Sequence, residues 1–96
     1  MPYQILITAD AEQDLNALQA YDRKTVLEAI EIHLTHQPTQ VSRSRIKQLV
    51  QAAISQYRLR VGDYRVYYDV DEKARHAVVV QVHEKGRGTT PNAGEP

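Results

Sequence analysis

The stretch from Gln56 to Val70, Gln-Tyr-Arg-Leu-Arg-Val then Gly-Asp then Tyr-Arg-Val-Tyr-Tyr-Asp-Val, limits the fold more than any other part of the chain. Residues rich in β-formers alternate on either side of Gly62-Asp63, a Gly-first pair suited to a two-residue hairpin turn that needs positive φ. Such a turn leaves no freedom of register, so Val61 falls opposite Tyr64, Arg60 opposite Arg65, and Arg58 opposite Tyr67. The two-residue period of a strand then sorts the side chains. Tyr57, Leu59, Val61, Tyr64, Val66, Tyr68 and Val70 share the face expected to be buried, and Arg58, Arg60, Arg65 and Tyr67 share the face expected to be exposed.

The rest of the chain supplies what this hairpin packs against. Tyr3, Ile5 and Ile7 alternate with Gln4, Leu6 and Thr8, which predicts a first strand over 3–8. Asp10 is read as the N-cap of a short helix, with Glu12 and Asp14 in its first turn and Leu15 and Leu18 on its apolar stripe. Asp22 is read as the cap of a second helix, in which Val26, Leu27, Ile30 and Leu34 recur at helical spacing until Pro38. Together these form a helical hairpin with an acidic outer face. Residues 37–44 read as a loop, and 46–54 fit either a helical turn or a short strand. After a turn at 71–75, a last strand is expected over 76–84 with Val78, Val80 and Val82 as its core set, so that Val79, Gln81 and His83, and by extension Lys85, point the other way. The fold class is therefore α+β: an N-terminal strand, a helical hairpin, then an antiparallel meander with the helices on one face. One domain over 1–85 is followed by a Gly/Pro/Thr-rich flexible tail over 86–96.

Ninety-six residues with 42% hydrophobic and 25% charged side chains describe an ordinary globular domain, well away from the composition of disordered chains. The absence of cysteine excludes disulfides and thiolate metal sites and fits a reducing compartment, so a cytoplasmic location is expected. Met1-Pro2-Tyr3-Gln4 has no basic or long apolar character, and the run from Ala77 to Val80 is far too short to cross a bilayer, so neither export nor membrane insertion is expected. The net charge is zero, yet it is unevenly spread. Residues 1–42 hold two basic against six acidic side chains, and residues 43–88 hold ten basic against five acidic. Such asymmetry can give a neutral protein a positive surface, or two solvated faces that attract each other.

The positive half coincides with the hairpin. Arg60 opposite Arg65 is a like-charge cross-strand pair, unfavourable by roughly 0.2–1 kcal/mol, which a sequence shaped for stability alone would avoid. Arg58, Arg60 and Arg65 with Tyr67, joined by His83 and Lys85 from the last strand, suggest an anion site for phosphates. The alternative is a solvated face whose arginines pair with Asp63, Asp69 or a partner's acidic residues. Tyr67 is placed to stack on a base or on Arg58. His83 is read either as a titrating group of this site or as a surface residue ending its strand. His33, His36 and His76 show no ligand spacing, so neither a metal nor another cofactor is expected.

The string Tyr57-Arg58-Leu59-Arg60-Val61-Gly62-Asp63-Tyr64-Arg65-Val66-Tyr67-Tyr68 resembles the central hairpin of the RelE/ParE superfamily of bacterial toxins. The resemblance runs from the first strand to Val82-His83. It implies a toxin of a type II toxin-antitoxin system, neutralised by a cognate antitoxin and meeting operator DNA only through the antitoxin complex. In the RelE branch the partners are the ribosome and mRNA, which is cleaved by attack of a ribose 2′-hydroxyl on the adjacent phosphate. In the ParE branch the target is DNA gyrase. A third reading is a degenerate member that binds only its antitoxin and operator. By position, Arg58 and Arg60 match the family's basic second strand, Arg65 the arginine that grips the scissile phosphate, and Lys85 the proposed general acid, with Arg87 a further RNA-binding residue. The family's late tyrosine has no counterpart, since no tyrosine follows Tyr68. Arginine stays protonated below a pKa of about 12, so His83 becomes the base expected to take the 2′-hydroxyl proton.

Overall fold

The computed structural model of the protein describes residues 1–50 and 54–85. Along the chain run β1 (Gln4–Ile7), α1 (Ala9–Asn16), α2 (Ala20–Leu34), β2 (Ile46–Gln48), β3 (Tyr57–Val61), β4 (Tyr64–Asp71) and β5 (His76–Glu84). The five strands form one sheet in the order β1-β5-β4-β3-β2. β2 to β5 are antiparallel to their neighbours, and β1 joins the far edge parallel to β5. The expected α+β layout is therefore present, and the undecided segment after residue 45 begins as the short edge strand β2.

The hairpin adopts the register its turn demands, with Val61 opposite Tyr64, Arg60 opposite Arg65 and Arg58 opposite Tyr67. Gly62 has φ +58, and the other residue with positive φ among those described is Arg75, in the β4–β5 turn, at φ 59. Positive φ at the first turn residue alone is the pattern of a type II′ hairpin, whose twist matches that of the flanking strands.

Both helices cover the face that carries Leu59, Val61, Val66 and Tyr68. Ala11 and Leu15 of α1, and Val26, Ile30 and Leu34 of α2, recur at four-residue spacing and close a core with Ile46, Ala77, Val79 and Val82. Each large aliphatic side chain so buried contributes about 1.5–3 kcal/mol. Leu27, read as part of this stripe, is instead exposed. Tyr68 stacks on Tyr57 at 5.5 Å and donates its hydroxyl to the buried Pro38 carbonyl at 2.5 Å, which ties the loop after α2 to the middle of the sheet.

β5 departs from simple alternation. Tyr67 pairs with Gln81 and Tyr68 with Val79, so Val80 is an extra residue, a β-bulge. The bulge shifts the phase, and the core set is Ala77, Val79 and Val82 rather than Val78, Val80 and Val82. It coincides with the end of β1, whose pairing stops at Ile7 and Val79. Beyond that point α1 takes over the backbone of β5. The Thr8 hydroxyl donates to the Val80 carbonyl at 3.3 Å and accepts from Ala11 N–H at 3.2 Å, and an Asp14 carboxylate oxygen accepts from Val82 N–H at 2.9 Å. Thr8, rather than Asp10, is thus the N-cap of α1. The cap position of α2 is Gln19, not Asp22, which lies in the first turn and accepts from the Tyr64 hydroxyl at 2.9 Å. Asp14 and Asp22 therefore bind the sheet instead of lying on a purely solvated acidic face.

Two stability predictions follow from these contacts. Gly62→Ala should cost about 1–2 kcal/mol in urea denaturation with an unchanged m-value, because nothing lies within 4 Å of the added methyl and only the left-handed backbone opposes it. Asp14→Ala should cost about 1–3 kcal/mol, the penalty for leaving the Val82 N–H without its acceptor. Loss of less than half a kilocalorie in the second variant would show that water replaces the carboxylate.

Candidate functional site: a basic face at the centre of the sheet

On the face away from the helices, strand pairing builds two transverse rows. One runs Arg60, Arg65, His83 across β3, β4 and β5. The other runs Lys47, Arg58, Tyr67, Gln81 across β2 to β5. Of the strand residues that alternation assigned to this face, Arg58, Arg60, Arg65, Tyr67, Gln81 and His83 are on it, while the bulge turns Val79 into the core. Cross-strand spacing of about 4.8 Å makes those on the face neighbours.

Their depth differs from the expectation of an exposed face. Arg60 and Lys85 are exposed, while Lys47, Arg58 and His83 are half-buried. Arg65 is 6% exposed and Tyr67 only 1%. The cause is topology, because β4 is the central strand of the five, paired with β3 on one side and β5 on the other. Residues of β4 are flanked on both sides by the long side chains of β3 and β5. Tyr67 is therefore enclosed rather than presented for stacking on a base, and its ring meets the edge of His83 at 5.9 Å with an interplanar angle of 66°.

Arg65 is held by the turn beneath it. One terminal nitrogen, Nη1, donates to the carbonyls of Gly62 at 3.3 Å and Tyr64 at 3.2 Å. Its charge thus sits fixed behind the exposed Arg60. His83 Nε2 lies 2.6 Å from Gln81 Oε1. A carbonyl oxygen only accepts, so Nε2 carries the proton and Nδ1 is left with the lone pair of the neutral ring. Lys85 is brought back to the hairpin by its N–H, which donates to the Asp63 carbonyl at 2.7 Å. Arg87 and the tail over 86–96 lie outside the described residues. Among the described residues, no group of three or more His, Asp or Glu side chains could hold a metal ion.

The site includes two residues that sequence reasoning missed. Lys47 went unplaced because its segment fitted either helix or strand; with Ile46 in the core, the strand reading sends Lys47 to the basic face. Gln81 was assigned to this face but not seen as the partner of His83. Elsewhere, His33 titrates below the ordinary histidine value through burial and, secondarily, the charge of Arg45.

Comparison with known proteins agrees with this architecture. The family model for the ParE toxin of the type II toxin-antitoxin system, parDE, matches residues 5–87, and the chain belongs to this family. It is a toxin of the RelE/ParE superfamily, as the hairpin string suggested. A chain of the toxin-antitoxin complex RelBE2 from Mycobacterium tuberculosis superposes with a TM-score of 0.77 at 26% identity, covering 88% of this chain and 100% of the other. A chain of the archaeal RelE-RelB complex from Pyrococcus horikoshii shares the fold, with a TM-score of 0.64 at 24% identity over 91% of this chain and 99% of that one. No curated protein matches the sequence. No helix among the described residues is long and apolar enough to cross a membrane.

The frame around the site offers a pH test. Desolvation and then the bond to Asp22 push Tyr64 up to about 12 from 10. A phenol whose folded value is raised stabilises the fold fully below its unfolded value and loses that contribution as pH climbs from about 10 towards 12. Tyr64→Phe should therefore lose stability less steeply than the parent protein over that range in denaturant titrations. An identical alkaline slope would remove the Asp22–Tyr64 link from the account.

Proposed function

We propose that this toxin is a ribosome-dependent mRNA endoribonuclease. The observation that carries the reading is the like-charged pair Arg60–Arg65 with Arg58 and His83 in adjacent register positions, an arrangement that opposes folding and favours a bound phosphate. Cleavage would proceed by attack of the ribose 2′-oxygen on the neighbouring phosphorus and departure of the 5′-oxygen, leaving a 2′,3′-cyclic phosphate and a 5′-hydroxyl. Arg60, with the fixed charge of Arg65 behind it, neutralises the non-bridging oxygens. His83 takes the 2′-proton through Nδ1, and Lys85 delivers a proton to the leaving 5′-oxygen. Arg58 holds the adjoining backbone, and Arg87 extends the same basic segment of sequence.

The late tyrosine of the family is not needed for this scheme. Phosphoryl transfer depends chiefly on positioning and charge neutralisation, which the arginines supply. The structural neighbours are toxin-antitoxin complexes, and they support a cognate antitoxin as partner. An acidic and apolar antitoxin segment that orders over the basic face would switch the toxin off. A second reading, gyrase inhibition, is favoured by the match to the ParE family model and by the burial of Arg65 and Tyr67.

The test adds purified toxin to a translating ribosome complex and reads the A-site codon by primer extension. Cleavage is expected, and Arg60→Ala should reduce it about 10²–10³-fold. The same variant should be no less stable than the parent, because it relieves a like-charge pair. His83→Gln should slow cleavage while leaving ribosome binding unchanged. Absence of cleavage together with inhibition of gyrase supercoiling would replace this reading with the second.

A further inference from the structure

The like-charge pairing recurs one strand further out. Lys47 of β2 is the direct partner of Arg58 on β3, just as Arg60 of β3 is the partner of Arg65 on β4. Both pairs lie on the face away from the helices, since Ile46 next to Lys47 and Leu59 next to Arg58 are both buried in the core. Strand spacing of about 4.8 Å and a rise of about 3.3 Å per residue set the centres of the two pairs roughly 8 Å apart, along a diagonal of the sheet. That separation is of the order of the step between successive phosphates in an extended single strand, and a positively charged groove of this kind tracks a backbone without reading its sequence.

The ends of the diagonal are distinct. Lys47 sits on an edge strand of three residues, half-buried and beside solvent. At the other end, the N–H of Lys85 is bonded to the Asp63 carbonyl, so the last described residue closes against the hairpin turn. Lys47 forms no part of the reacting group of residues, because Arg58 and Arg60 separate it from His83 across the sheet. Its charge gains nothing in the fold from facing Arg58.

We propose that Lys47 binds a phosphate of single-stranded RNA one nucleotide step from the phosphate held at Arg60, so that the strand crosses the sheet diagonally from β2 to the end of β5. This rests on the nucleic-acid reading of the same face. The residue holds the strand in place and takes no part in bond breaking. In a ribosomal cleavage assay, Lys47→Ala therefore raises KM and leaves kcat unchanged.

The test measures binding of the purified full chain to a short mixed-sequence single-stranded RNA as a function of salt. Each phosphate contact contributes about 0.7 to the slope of log K against log salt. Lys47→Ala should lower that slope by about 0.7 and weaken binding several-fold at low salt, while Lys47→Arg restores both. Lys73→Ala, an exposed control in the β4–β5 turn, should leave the slope unaltered. A slope unchanged in Lys47→Ala but reduced in Arg60→Ala would overturn the inference and leave the nuclease reading standing. A Lys47-dependent slope in a protein that never cleaves ribosomal mRNA would support the inference and defeat that reading. An equal drop in Lys73→Ala, or no RNA binding by the parent protein, would overturn the proposal.

Discussion

The basic face depends on a backbone angle at one residue. Gly62 turns β3 into β4 with positive φ and no room for slippage, and a slip of one residue would turn over the faces of one strand against the other. Either Leu59 would then meet solvent with Arg58 and Arg60 driven against the helices, or Val66 and Tyr68 would meet solvent with Arg65 driven inward. The hydrophobic requirement and the placement of the arginines are thus the same constraint seen from opposite sides of the sheet. Arg65 reinforces it, since Nη1 binds the carbonyls that the turn exposes. The site's most enclosed cation is also a brace for the turn that positions it.

Electrostatics divides the molecule between its layers. The acidic residues of the helices are partly spent on the sheet, Asp14 on the backbone of β5 and Asp22 on Tyr64. The positive charge stays on the opposite face, where it has the low-dielectric interior of the sheet on one side and water on the other. A neutral protein can in this way present a locally positive surface, and the field there is steeper than the net charge suggests.

How much of this was legible in the sequence depended on whether a local rule decided the outcome. The hairpin, its register and the sorting of Arg58, Arg60, Arg65 and Tyr67 to one face follow from a two-residue turn and a period of two, and they hold. Depth was another matter. Whether Tyr67 faces water depends on how far the long side chains of β3 and β5 close over β4, which a period of two does not decide. The bulge at Val80 was hidden for a similar reason. In a run of consecutive valines every phase of alternation looks equally apolar, so only the end of β1 and the side chains of Thr8 and Asp14 select one. The cap of α1 is Thr8 rather than Asp10, its hydroxyl bonded to both the helix and β5, and the cap position of α2 is Gln19, with Asp22 in the first turn bonded to Tyr64. Lys47 escaped notice because three residues of strand are too few to show a period.

The pairing of β1 with β5 has a consequence in time as well as in space. Gln4 meets His76 and Ile7 meets Val79, so β1 finds its neighbour only after everything from α1 to β4 has been made. Contacts this far apart in sequence slow folding, because a large loop must close before they form. The helices and the β3–β4 hairpin can assemble earlier from local contacts, but β5 carries His83 and must arrive last. A nascent copy of this toxin is therefore incomplete at its basic face until β5 has been made and has paired with β4. That delay gives the cell an interval in which the chain exists and the finished surface does not.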